Sequence, residues 1–88
     1  MRLSYDDVKS FFMEWHPLAS SVIARAAYDE PSRTLSIEFR SGTLYEYFDV
    51  PQTIYQELVE APSAGGYFAE NIRDIYRFAR TGAPDAVD

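Results

Sequence analysis

Arg73, Arg77 and Arg80 recur at one-turn helical spacing, and Tyr45 and Tyr47 stand two apart in an aromatic run. Guanidinium planes and tyrosine faces together hold phosphates and unstacked bases, and each base stacked on an aromatic contributes about 1–3 kcal/mol. The same residues also have a plainer use. Arginines late in a helix complement its dipole and pair with Glu70 and Asp74 three residues before them, while the tyrosines pack into a core.

Phe11, Phe12 and Trp15 form a second group. Large aromatics on one side of an amphipathic helix anchor it in a partner's groove, or cover the open face of the chain's own sheet. A membrane surface is a poor match for them, because Asp6, Asp7 and Glu14 oppose only Lys9 on the polar side.

Catalytic chemistry finds little support. His16 is the single imidazole and has no partner at a meaningful spacing. The acid pairs Asp6-Asp7, Asp29-Glu30 and Glu57-Glu60 suit a helix start, a turn and an exposed helix face, so none is assigned acid/base work. With no cysteine there is no thiolate nucleophile and no disulfide, and no metal site or cofactor motif is legible. Ser63-Ala64-Gly65-Gly66 precedes a helix as phosphate loops do. It lacks their lysine and does not follow a strand, so it reads as a turn between packed helices.

Hydrophobic periodicity sets the elements expected to position these residues. Val8, Phe11, Phe12 and Trp15 recur at helical spacing from Ser4, a candidate N-cap with Asp7 three residues on, and predict a helix over 4–15. Three strands follow, near 21–28, 33–40 and 43–49; in the second, Leu35, Ile37 and Phe39 alternate with polar residues. Ser41-Gly42 supplies a two-residue hairpin link. Pro51 opens a helix carrying Ile54, Tyr55, Leu58 and Val59 on one side, which stops before Pro62. A last helix is expected from Gly66 to Arg80, with Phe68, Ile72, Ile75, Tyr76 and Ala79 on its inner side, the arginines beside them and Gly82 closing it.

Eighty-eight residues, 47% of them hydrophobic, suffice for one small core and no second domain. The net charge of −6 argues against an all-round electropositive grip on nucleic acid. That charge is unevenly spread: −1 over residues 1–18, −3 over 19–80 and −2 over 81–88. No signal-like leader and no run of about 20 apolar residues is present, which points to the cytoplasm.

From Ser20 onward the chain resembles the KTSC domain, a short module found at the C-terminus of some lysyl-tRNA synthetases and as small stand-alone bacterial and phage proteins. The elements that carry the resemblance include Ser20-Ser21-Val22-Ile23, Tyr45-Glu46-Tyr47, Val50-Pro51, Ala61-Pro62-Ser63, Gly65, Tyr67-Phe68, Ile72-Arg73 and Tyr76. Their order covers about 60 residues. The resemblance implies no enzyme; a role in RNA binding has been suggested for the family.

The expectation is therefore an α+β domain: a three-stranded antiparallel β-meander packed with two C-terminal helices, plus an N-terminal amphipathic helix. Residues 1–18 form a helical extension, 19–80 the domain and 81–88 a flexible acidic tail. Functionally it is a non-catalytic binding module for a protein partner linked to RNA, transcription or translation. The alternative is direct binding of RNA or single-stranded nucleic acid. Candidate binding residues are Tyr45, Tyr47, Arg73, Arg77, Arg80, Phe11, Phe12 and Trp15, and a second copy of the chain is a further candidate partner.

Overall fold

The computed structural model describes residues 14–82. Five strands form one antiparallel sheet in sequential order: β1 (His16–Pro17), β2 (Ile23–Asp29), β3 (Thr34–Phe39), β4 (Leu44–Tyr47) and β5 (Phe78–Gly82). Two helices, α1 (Gln52–Glu60) and α2 (Ala64–Asn71), lie between β4 and β5 in the chain.

The middle of this fold follows the alternation in the sequence. Residues directly opposite one another in an antiparallel pair share a face, so the register defines rows across the sheet. One row runs Tyr28, Leu35, Tyr47, Phe78, and the next runs His16, Ala26, Ile37, Tyr45, Arg80. Both helices pack on the face these rows present. Tyr55 of α1 stacks on Tyr28 at 5.5 Å between ring centroids, and Phe68 of α2 meets Phe39 and Tyr47 edge-on at 5.4 and 5.6 Å. Leu58, Ile72, Leu35, Ile37, Ile23 and Val50 are fully buried between the layers.

Local chemistry sets the boundaries. Gly42 takes a φ of 96° in the β3–β4 turn, a conformation open to glycine because it has no Cβ. The turn is longer than the two-residue link expected: β3 stops at Phe39, β4 starts at Leu44, and Phe39 N–H donates to the Thr43 carbonyl at 2.9 Å. Pro51 stands at the N-cap of α1, one position before the expected first turn. Ser63 caps α2, its hydroxyl accepting from Gly66 N–H at 3.2 Å, so this helix begins at Ala64 rather than Gly66.

Three expectations are corrected. The sheet has five strands, not three. The last helix ends at Asn71 instead of Arg80: the Asn71 side chain donates to the Tyr67 carbonyl, and Arg73 N–H reaches back to the Phe68 carbonyl at 3.0 Å, a six-to-one closure typical of helix ends. Residues 78–82 then satisfy the outer backbone groups of β4 as a strand, so Gly82 is a strand residue and no helix cap. Finally, Trp15 is not helical. It directly precedes β1, which also holds His16, while the rest of the expected N-terminal helix, including Phe11 and Phe12, lies outside the described residues.

Candidate binding groove

Helices α1 and α2 cover the sheet over β2 to β4 and leave β5 open. Along a single row, exposure rises from 0% at Leu35 and 3% at Tyr47 to 54% at Phe78. A groove of about 470 Å³ forms where the cover ends. Its floor is aromatic: Tyr45, Tyr47 and Phe39 line it with Phe78. Tyr45 stacks beside Tyr47 at 6.2 Å, and Phe78 leans against both at 5.4 and 5.6 Å. Polar groups make the rim: Ser41 and Thr43 from the β3–β4 turn, Arg73 and Asp74 from the segment after α2, and Arg80 from β5.

Four of the sequence candidates thus meet in one place: Tyr45, Tyr47, Arg73 and Arg80. They do so by a route other than the one expected. The arginines share no helix side; Arg73 sits in the turn after α2, and Arg80 reaches the same face from β5, opposite Tyr45. Arg77 does not line the groove. Its guanidinium pairs with Asp49 at 3.2 Å and lies 5.4 Å over the Phe48 ring. Trp15 belongs to the opposite edge of the sheet, where Arg25 stacks over its indole at 4.3 Å and also pairs with Glu38.

The two tyrosines differ in what they can offer. Tyr47 is core, and burial pushes its hydroxyl up to about 12; Tyr45 and Asp74 push the same way, while the Arg73 guanidinium pulls against them. No base can stack on a ring so enclosed. Tyr45 is half-buried and keeps a face on the groove. Arg73 is only loosely held, 3.8 Å from its neighbour Asp74 with both side chains largely exposed, and Arg80 has no ion pair among the described residues. The groove therefore holds aromatic surface, one cation without an ion pair among the described residues and a second that is loosely paired.

Sequence reasoning missed Phe78, the most exposed ring of the site, because a helix to Arg80 gave it no role. Its signal was available: Phe78 and Arg80 alternate with the small Ala79 and precede Gly82, as in a short strand.

Many of the residues that carry the family-like pattern hold the fold. Ser20 Oγ accepts from Val22 and Ile23 N–H groups, Arg40 donates to the Ser20 and Leu18 carbonyls, Tyr28 donates to the Val50 carbonyl and Tyr67 to Glu57. Gly65 lies against Val22, where an added Cβ would stand 3.6 Å from that side chain.

Fold and groove together define a small α+β domain whose sheet is roofed by two helices on one face and left open at one edge. The chain belongs to the KTSC domain family, which matches residues 19–76. A lysine-tRNA ligase of Nostoc punctiforme is 43% identical over 58 residues, 66% of this chain and 10% of the ligase. The chain thus spans about a tenth of the length of that relative. An uncharacterized protein of Stutzerimonas stutzeri is 39% identical over 64 residues, 72% of this chain and 90% of that one. The crystal structure of a KTSC domain protein from Yersinia pestis superposes with a TM-score of 0.76 at 33% identity, covering 80% of this chain and 99% of that one.

Proposed function

We propose that this KTSC domain is a non-catalytic binding module that engages a protein partner through the groove beside β5. The observation that carries the reading is Phe78, 54% exposed against Tyr45 and lining one groove with Arg73 and Arg80. An aromatic ring left half in water forgoes about 25 cal/mol for each Å² that a partner could cover. Aromatic and arginine residues together are the usual anchors of protein interfaces.

Direct RNA binding is the weaker alternative at this site. Tyr47 is enclosed, Arg77 is occupied by Asp49, and the chain's charge of −6 repels a phosphate backbone outside this patch. The likeness to a segment of a lysine-tRNA ligase supports a partner linked to translation. Among the described residues no helix is long and apolar enough to cross a membrane.

A photo-crosslinker installed at Thr43, on the rim, tests the reading in cells. Crosslinks to a protein that vanish in Phe78→Ser and Arg80→Glu support it. Crosslinks mainly to RNA, or protein crosslinks indifferent to both substitutions, contradict it.

A further inference from the structure

We propose that the outer edge of β5 accepts an extended, acidic segment of the partner protein as a sixth strand. The proposal rests on the groove reading above and adds a binding mode and a partner chemistry to it. It begins from the ladder. Phe48 N–H donates to the Arg77 carbonyl at 2.9 Å, which makes 48 and 77 a hydrogen-bonded pair. Such pairs alternate with non-bonded ones in an antiparallel ladder. The next pair, Tyr47 with Phe78, is therefore non-bonded, and the N–H and C=O of Phe78 point away from β4. Strand alternation turns the backbone of Arg80 outward as well. The two residues whose side chains face the groove thus also offer their main chains to a newcomer.

Among the described residues no strand lies beyond β5. The opposite edge is a poor template, since β1 has two residues and one is Pro17, which has no N–H to donate. By contrast β5 has five residues, no proline, and exposed side chains from Phe78 to Thr81. Charged residues on an edge strand commonly guard it against pairing, and Arg80 fits that role. It does not explain Phe78, a large ring held half in water on the same edge.

Charge selects the occupant. Arg80 stands on this edge with no ion pair among the described residues, and Arg73 lines the same groove, held only loosely by the exposed Asp74 at 3.8 Å; Arg77, paired with Asp49, adds little. A second copy would bring the same arginines against themselves, so β5 pairing with β5 is disfavoured. An extended segment alternating acidic and apolar residues meets every feature: backbone groups for the edge, apolar side chains over Phe78 and Tyr45, carboxylates toward Arg80 and Arg73.

The test titrates the full 88-residue chain with three capped heptapeptides in low salt, followed by calorimetry. One alternates Asp with Val, one alternates Lys with Val, and the third is the Asp peptide with alternate backbone amides N-methylated. The expected result is binding of the Asp peptide at least tenfold tighter than the other two, and at least tenfold weaker binding to Arg80→Glu, whose preference shifts toward the Lys peptide. Equal binding of the plain and methylated Asp peptides would overturn strand addition while leaving the groove reading standing. Binding of none of the peptides, a dimer built through β5, or tighter binding of a single-stranded RNA heptamer would overturn the proposal.

Discussion

Tyr47 and Phe78 face each other across β4 and β5 with ring centroids 5.6 Å apart, yet the first is 3% exposed and the second 54%. The step in exposure marks where the two-helix roof ends. One aromatic row therefore runs from buried core at one strand to exposed surface at the next. Core and surface functions separate on that row, and the substitutions below exploit the separation.

Phe78→Ala should lower stability by only about 1 kcal/mol, the worth of a half-exposed cross-strand aromatic contact. Partner binding should fall far more. Urea denaturation beside crosslinking yield at Thr43 measures both; a loss of several kcal/mol would make Phe78 a core residue instead.

Leu58→Ala should destabilise by about 2–5 kcal/mol, because Leu58 is the fully buried residue of α1 and its truncation leaves a cavity. Denaturant midpoints report this, and groove binding of the folded fraction should be unchanged.

Tyr47 governs part of the response to alkali. Its hydroxyl is raised from 10.0 to about 12 in the folded chain, so the stability it contributes is fully present below pH 10 and is lost as pH rises through 12. By pH 11 the loss from this one group is about 1 kcal/mol. Tyr47→Phe removes that share, and its stability should fall less steeply than wild type between pH 10 and 12; parallel curves would contradict the assignment. Tyr67, also raised to about 12, chiefly by burial and then by its bond to Glu57, leaves a residual slope in both proteins.

Asp49 takes a left-handed φ of 58° just before Val50-Pro51 and pairs with Arg77 on the surface. Asp49→Gly should be near neutral in stability, since an exposed pair contributes little and glycine suits the backbone. Asp49→Val should destabilise by about 1–2 kcal/mol, because a β-branched residue clashes there. Thermal melts of the pair distinguish backbone strain from charge loss.

How much of this was legible in the sequence depends on where local pattern and tertiary demand agreed. Leu35, Ile37 and Phe39 alternate and form β3; Pro51 and the Ile54 to Val59 stripe form α1; Gly42 has its positive φ. At 66–80 the two conflicted. Phe68 and Ile72 fit a helical stripe and are buried, but Ile75, on the same stripe, is 61% exposed. Helical spacing there was a coincidence of composition, and the open edge of β4 drew residues 78–82 into a strand. The groove inherits that history. Tyr45, Tyr47, Arg73 and Arg80 were identifiable as residue types, whereas their meeting place, and Phe78 within it, depended on a strand that single-sequence periodicity disguised as helix.

Amide chemical shifts of the uniformly labelled chain, followed while the alternating Asp-Val heptapeptide is added, test the central claim most directly. Perturbations confined to Thr43, Tyr45, Arg73 and Phe78 to Arg80, and abolished by Arg80→Glu, are the predicted result. Shifts centred instead on Trp15 and Arg25 at the far edge, or none up to millimolar peptide while RNA perturbs the same groove amides, would contradict it.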